Sequence, residues 1–363
     1  MSEITVPGVA PKGPIGKAVF WARANLFNSW LNTIITLVII YGVVRLVPPV
    51  IQWAFLDSVW SAPDNSVCRA ALGACWAFIG VWYRFILFGR FPYDEQWRPL
   101  LVCFIFIALL LMSCDRRFWN SWLMLIWVAG TAVIATLMWG GVLGMTFVET
   151  DLWNGLPLTL ILAVFGLGFA FPLAILLALG RRSHMPAIRA LSVGYIEFIR
   201  GVPLITVLFM ASVMLPLFLP TGTTINKLLR AEVAFILFSA AYLAEVVRGG
   251  LQAVPKGQFE AADALGLSYR QKMQKIVLPQ ALTIAIPPLV NTFIGAFKDT
   301  SLVIVIGLFD LLNTANAALN DPAWRGYYVE AYVMISIIYF VFCFFMSRYS
   351  QHLEMSFNKG KRR

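Results

Sequence analysis

Four consecutive side chains, Lys298, Asp299, Thr300 and Ser301, follow one long apolar run and precede a short apolar run that ends at Phe309. An ionisable group at membrane depth costs several kcal/mol unless it is paired or faces water, so such residues are functional candidates by default. Together the four offer a cation, an anion and two hydroxyls at a break between helical segments, a set that complements a small zwitterion. A Lys–Asp pair that only braces the break is the competing reading. Glu197 with Arg200, and Glu245 with Arg248, are each spaced to meet within one helical turn near the end of an apolar run. They read either as a gate or as interface charges that anchor helices. No catalytic group and no metal site are expected: five cysteines include no CxxC pair, and His184 and His352 are the only histidines. Cys68 and Cys75 share a polar loop and can pair if it faces an oxidising compartment.

The elements that position these groups follow from composition. The 363 residues are 60% hydrophobic and 13% charged, about half the charged share of a soluble domain. An all-α polytopic membrane bundle is expected, with about eight transmembrane helices over 30–51, 99–114, 118–135, 152–180, 201–219, 231–247, 278–297 and 331–347. The sixth is the weakest, because Glu232, Glu245 and Arg248 leave only a short uncharged stretch, and a seven-span count is the alternative. Residues 1–29 lack a continuous apolar core with a cleavage site and read as a cytosolic tail. Residues 351–363 form a basic cytosolic tail. With both termini inside, the inner connections carry nineteen Lys and Arg against seven outside, as the positive-inside rule requires. The formal charge of +10 is thus topological, and nucleic acid is not expected as a partner. The aromatic loop 52–98 faces outward and includes GACWAFIGVWYRFILFG, a stretch suited to the membrane interface.

The cytosolic loop 248–279 reads as a helical hairpin. Pro255 and Gly257 bar an earlier helix, Gly266 supplies a left-handed end to the first arm, and Ser268 with Gln271 forms a capping box for the second. Pro279 marks the start of the next span. The first arm, with Glu260, Ala261, Ala262 and Asp263, has side chains small enough for another protein to approach closely. A plain linker between spans is the bland alternative.

Glu260-Ala261-Ala262, Gly266 four residues on and IVLP at 276–279 resemble the EAA loop of binding-protein-dependent ABC importer permeases. YIEFIRGVPL (195–204), AYLAEVVRGGLQAVPKGQFEAADALGLS (241–268) and LPQALTIAIPPLVNTFIGAFKDTSLV (278–303) resemble the polar amino-acid branch of that family. The likeness covers roughly 153–350, a five-helix core. The extension over 30–148, with about three spans, is similar to the longer permease subunit of the general L-amino-acid transport system of Gram-negative bacteria. Two departures stand out: Val202 where RGTP is more usual, and Asp310 where Glu is common.

The resemblance implies a non-catalytic inner-membrane subunit for polar L-amino acids. Its EAA hairpin, including Gly266, Leu278 and Pro279, would be a coupling helix seated in an ABC ATPase dimer. It also implies a second, related permease subunit and a periplasmic amino-acid-binding protein. The chain contains no G-x-x-x-x-G-K-[ST] loop, so ATP and Mg2+ are expected on the partner ATPase. A secondary transporter driven by an ion gradient, with Lys298 and Asp299 as coupling groups, is the alternative.

Overall fold

The computed structural model describes residues 13–62, 64–220 and 225–358. Lys12, Lys359, Lys361, Arg362 and Arg363, which enter the charge comparison, lie outside the described residues, as do the ends of both expected tails. The chain divides into two compact units, 1–80 and 81–363.

In the first unit, α1 (Pro14–Asn25) lies within the expected tail. Ser29 caps α2 (Trp30–Ile51) by accepting the Asn32 amide proton at 3.3 Å. A π-helical turn over Gln52–Leu56 extends α2 into a 27-residue apolar helix. Beyond it, α3 (Asn65–Ala70) carries Cys68, which forms a disulfide with Cys75. The pairing that the sequence leaves open is therefore made. Gly73 packs where a Cβ would stand 2.2 Å from the Asp57 carbonyl oxygen, so only glycine fits that corner. α4 (Ala77–Phe88), with 12 residues, is too short to span.

The second unit contains α5 (Trp97–Cys114), α6 (Ser121–Trp139), α7 (Gly155–Arg181), α8 (Pro186–Arg200), α9 (Leu204–Phe209), α10 (Lys227–Ala253), α11 (Lys256–Ala264), α12 (Tyr269–Lys272), α13 (Leu278–Asp299), α14 (Leu311–Ala318) and α15 (Tyr328–Asn358). Among the described residues of the chain, seven helices are long and apolar enough to cross a bilayer, or eight if one bent pair is a single span.

The second half of that bent pair falls in the fifth expected span, 201–219, and the first half corrects an expectation. Residues 186–200, read as part of a charged cytosolic loop, form α8, started by Pro186. Its buried face carries Ser192 and Ile196, one turn apart, while its charges lie elsewhere on the helix. Residues 204–218 continue after a bend of 103°. Pro203 has no amide proton to donate and restricts Val202, so the chain breaks at Gly201–Pro203. The sixth span, the doubtful one, is in fact a continuous 27-residue helix, α10.

Two cores hold the spans together. One gathers α5, α6, the first half of α7, α9, the first half of α10 and the far end of α13, with Val102, Phe106, Leu162 and Phe235 at its centre. The other is built from small residues: Ala170, Ala174 and Ala178 of α7, Ala240 and Ala244 of α10, and Ala281 and Ala285 of α13. Small side chains let helix backbones approach closely, the normal way to gain packing where lipid is as apolar as the protein. At Gly250 of α10 a Cβ would stand 2.4 Å from the Ala281 carbonyl oxygen, so glycine sets the distance between α10 and α13.

Arg98, counted from sequence as a loop charge, is fully buried at the start of α5. It donates to the carbonyls of Leu137 at 2.6 Å, Met138 at 3.3 Å and Thr146 at 3.0 Å, and pairs with Glu95. The guanidinium thus satisfies carbonyls that the end of α6 leaves without helical partners.

Candidate functional site

The hairpin forms as its turn chemistry dictates. Pro255 caps α11. At the other end the Leu265, Gly266 and Leu267 amides donate to the carbonyls of Ala261, Asp263 and Ala262. Gly266 takes φ +68°, the left-handed region where a side chain is strained. Ser268 and Gln271 form the capping box of α12. Lys272 Nζ lies 2.5 Å from Asp263 Oδ1 and ties the two arms together. Glu260, Ala261 and Asp263 are exposed, Ala262 is buried, and Leu265 and Tyr269 project from the tip with 75% and 57% of their surface exposed. At its base, Arg182 donates to the Leu251 carbonyl at 3.0 Å and lies over the Phe259 ring.

One expectation about this loop is corrected. Leu278 and Pro279 do not open a separate span. α12 runs through a π-helical turn over Met273–Val277 directly into α13, giving one helical rod from Tyr269 to Ile306. Proline is tolerated there because it stands in the first turn of α13, and the turn before it is already π-helical. Met273 and Val277 are buried in the small-residue core, so the hairpin and α13 share one mechanical element.

Beside the hairpin's base, the two charge pairs merge into one cluster. Glu245 meets Arg248 at 2.8 Å, as its spacing suggests. It also accepts Arg181 at 2.9 Å and lies 3.7 Å from Arg200. Glu197 does not pair with Arg200 but with Arg181, at 2.8 Å. Arg181 is the hub that sequence reasoning missed: its partners lie 16 and 64 residues away, beyond any helical spacing. Arg200 instead lies over the Tyr242 ring. One carboxylate therefore binds three guanidinium groups from α7, α8 and α10. This arrangement locks those helices together at one level and loosens them together if Glu245 loses its partners.

At the other end of the rod, α13 gives way to a 3-10 turn over Thr300–Ile306. Thr300 is buried, and its hydroxyl donates to the Phe297 carbonyl at 2.8 Å. The Ser301 hydroxyl donates to the Lys298 carbonyl at 2.9 Å. Both hydroxyls are thus used by their own backbone. No ion pair joins Lys298 and Asp299, and neither side chain bonds another described side chain, so the pair does not brace the break. The bracing comes from Asp310, which is fully buried. It caps α14 by accepting the Leu312 and Asn313 amides, and it accepts the Tyr339 hydroxyl at 3.0 Å. Asn313 donates to both Asp310 and the Ser301 carbonyl. The departure from the family pattern at Asp310 is thus a helix cap. Among the described residues, no cluster of His, Cys, Asp and Glu suits a metal.

Residues 170–359, which take in the hairpin, the charge cluster and Lys298–Ser301, match the family of binding-protein-dependent transport system inner membrane components. The chain belongs to that family. It is 51% identical to an inner membrane amino-acid ABC transporter permease of Escherichia coli, over 95% of this chain and 94% of that one. It is 40% identical to a glutamate/glutamine/aspartate/asparagine transport system permease of Rhodobacter capsulatus, over 99% and 98%. A probable glutamine ABC transporter permease of Bacillus subtilis matches at 33% over only 56% of this chain but 92% of its own length. Much of this permease therefore has no counterpart in that shorter relative. A solved amino acid ABC transporter, crystallised with histidines, superposes with a TM-score of 0.50 and 34% identity, over 56% of this chain and 92% of that one.

Proposed function

We propose that this permease is the membrane-spanning subunit of an ATP-driven importer of polar L-amino acids in the inner membrane, with both termini in the cytosol. The observation that carries this reading is the hairpin: an exposed knob of small side chains, stapled by Lys272–Asp263 and continuous with α13. Glu260, Ala261, Asp263 and Gly266 form the face that enters a groove of an ABC ATPase dimer, and the buried Ala262 seats α11 against the rest of the permease. ATP and Mg2+ are held there, and hydrolysis takes place on that partner. A periplasmic binding protein delivers the amino acid from outside, and a related second permease subunit completes the pathway.

In this scheme, ATPase closure displaces the hairpin and α13 moves with it. A ligand shifts a two-state equilibrium only by its differential affinity for the states, so ATP and the loaded binding protein must each favour one arrangement of the bundle. Glu245 and its three arginines stand next to the hairpin's base and serve as the cytosolic gate. Lys298 and Asp299, whose side chains make no hydrogen bond or ion pair among the described residues, face the amino acid along the pathway. The named specificities of the relatives support a polar substrate.

The test is site-specific crosslinking from Ala261 to the ATPase in the assembled complex, with and without ATP. A crosslink that changes with nucleotide is expected. No crosslink from a complex that transports would remove the assignment. Orientation is tested by reporters fused after Asn65, active only outside, and after Ser268, active only inside.

A further inference from the structure

A cavity of 1240 Å³ lies between α5, α6, α7, α10, α13 and α15. Its lining runs from Thr150 and Asn226, at the outer ends of the spans, to Cys114 and Tyr349 at the opposite ends. Phe165, Phe293 and many other apolar side chains make up its wall. The polar groups at its two ends are already satisfied: Asn226 donates to the Thr150 hydroxyl at 2.5 Å, and Tyr349 donates to the Cys114 carbonyl at 3.1 Å.

Glu232 is the exception. Both of its carboxyl oxygens are buried and have no hydrogen-bond partner. The neighbouring cation on the same helix, Arg230, donates from Nη1 to the Ser212 carbonyl and makes no hydrogen bond or ion pair with Glu232. An unpaired carboxyl in apolar surroundings is costly and is retained where something else completes it. Space for that group is left on the cavity side, which Glu232 itself lines: Gly168 of α7 faces the cavity with nothing within 4 Å of where a side chain would begin.

Depth narrows the chemistry of the occupant. Lys227, in a half-exposed pair with Asp151, marks the outer rim. Glu232 follows five residues later, a rise of about 7.5 Å. A group at headgroup level can reach it, and the cavity continues inward from there along the apolar interior. A free amino acid fits poorly, because it would leave most of this long apolar wall unfilled.

We propose that the cavity is a binding site for a phospholipid with a primary ammonium headgroup, the ammonium on Glu232 and the acyl chains along the apolar wall. The ammonium supplies the missing donors and charge, and the chains fill volume that a packed core would otherwise leave open.

The experiment places the full chain, in its assembled complex, in nanodiscs of phosphatidylethanolamine, phosphatidylcholine and phosphatidylglycerol with identical acyl chains. Native mass spectrometry then counts the lipid kept after delipidation. Phosphatidylcholine keeps the charge but has no N–H to donate. The wild type is expected to keep phosphatidylethanolamine about tenfold better than either competitor, the worth of one charge-assisted hydrogen bond. Glu232→Gln is expected to lose that preference, and Gly168→Leu, which fills the cavity without a clash, to lower retention of all three. Should the first variant fail to assemble, the second decides. The proposal is overturned by equal retention of phosphatidylglycerol in the wild type, by a preference that survives Glu232→Gln, by retention untouched in Gly168→Leu, or by a free amino acid held there in place of lipid.

Discussion

Replacing Gly266 separates the coupling hairpin from the bundle that carries it. The residue sits at φ +68°, and a Cβ there meets nothing within 4 Å, so Gly266→Ala adds no clash and costs only the left-handed backbone, about 1–2 kcal/mol. Gly266→Asn tolerates that conformation and costs less. Gly266→Pro cannot adopt it. Proline fixes φ near −65°, removes the amide that donates to the Asp263 carbonyl at 2.9 Å, and disfavours the near-helical conformation of Leu265, together about 3 kcal/mol or more. Both cores lie elsewhere in the chain, so insertion and assembly should survive all three changes. Since about 1.4 kcal/mol is a factor of ten, ATPase activity stimulated by the loaded binding protein should fall slightly for Asn, several-fold for Ala and to the basal level for Pro. The assay is reconstitution into liposomes, with uptake and ATP hydrolysis measured per assembled complex. Glu260→Lys, which reverses charge on an exposed side chain, should uncouple in the same way. Normal uptake by Gly266→Pro, with a crosslink from Ala261 showing the hairpin docked, would refute the assignment of coupling to this turn.

Glu245→Gln leaves three guanidinium groups without their shared anion and should lower the melting temperature of the complex by the equivalent of about 2 kcal/mol. A double-mutant cycle with Arg181→Gln should give a coupling of about 1 kcal/mol, and a coupling near zero would dissolve the cluster as a unit. Asp299→Asn should weaken uptake of lysine about tenfold more than uptake of glutamate, the effect expected of a lost contact to a substrate cation. Lys298→Met should not rescue it, because no ion pair joins the two; equal loss for every substrate with rescue in the double variant would return them to a structural role. Arg98→Met strands the carbonyls of Leu137, Met138 and Thr146 along with Glu95, at a cost of about 3–5 kcal/mol. Hydrogen exchange should show protection lost at the end of α6 while stimulated ATPase activity is retained, and unchanged protection would contradict the burial of that charge.

Local features were legible in the sequence and long-range pairings were not. Spans announce themselves as uncharged runs, and the hairpin's turn is set within a few residues by Pro255, Gly266 and the Ser268–Gln271 box, so each could be read without knowing the fold. α8 reads as a loop in the sequence because Arg189, Glu197 and Arg200 interrupt its apolar residues, and only its buried face, Ser192 and Ile196, reveals the helix. The sequence makes α10 a weak span because Glu232, Glu245 and Arg248 leave only a short uncharged stretch. Arg181, which joins Glu245 from another helix, adds a second cation to that carboxylate and has no sequence signal that points to it. Arg98 failed for the opposite reason: a charge near the start of a span reads as a loop residue, and the α6 carbonyls that bury it lie about forty residues on.

The helical rod from Tyr269 to Ile306 explains how a cytosolic knob can act on the membrane interior. Its 38 residues extend about 57 Å if regular, against a hydrocarbon core of about 30 Å, so a substantial part stands outside the hydrocarbon and, in the proposed orientation, serves as a cytosolic lever. The small-residue core grips it at Met273, Val277, Ala281, Ala285 and Leu289, and the other core grips it again at Ala296, Phe297, Val303 and Ile306. Between Leu289 and Ala296 none of its residues is buried. Immediately before that ungripped stretch stand Pro287 and Pro288, which remove two amide donors from the helix. A rod held firmly on both sides of a weakened, loosely packed stretch bends there first, because neither core has to be repacked. Movement of the hairpin is thereby carried through the lower core, while Lys298 and Asp299 stay with the upper one. The two ends of one continuous helix can then change their angle without either losing its packing, as alternating access requires of a bundle whose cores are close-packed.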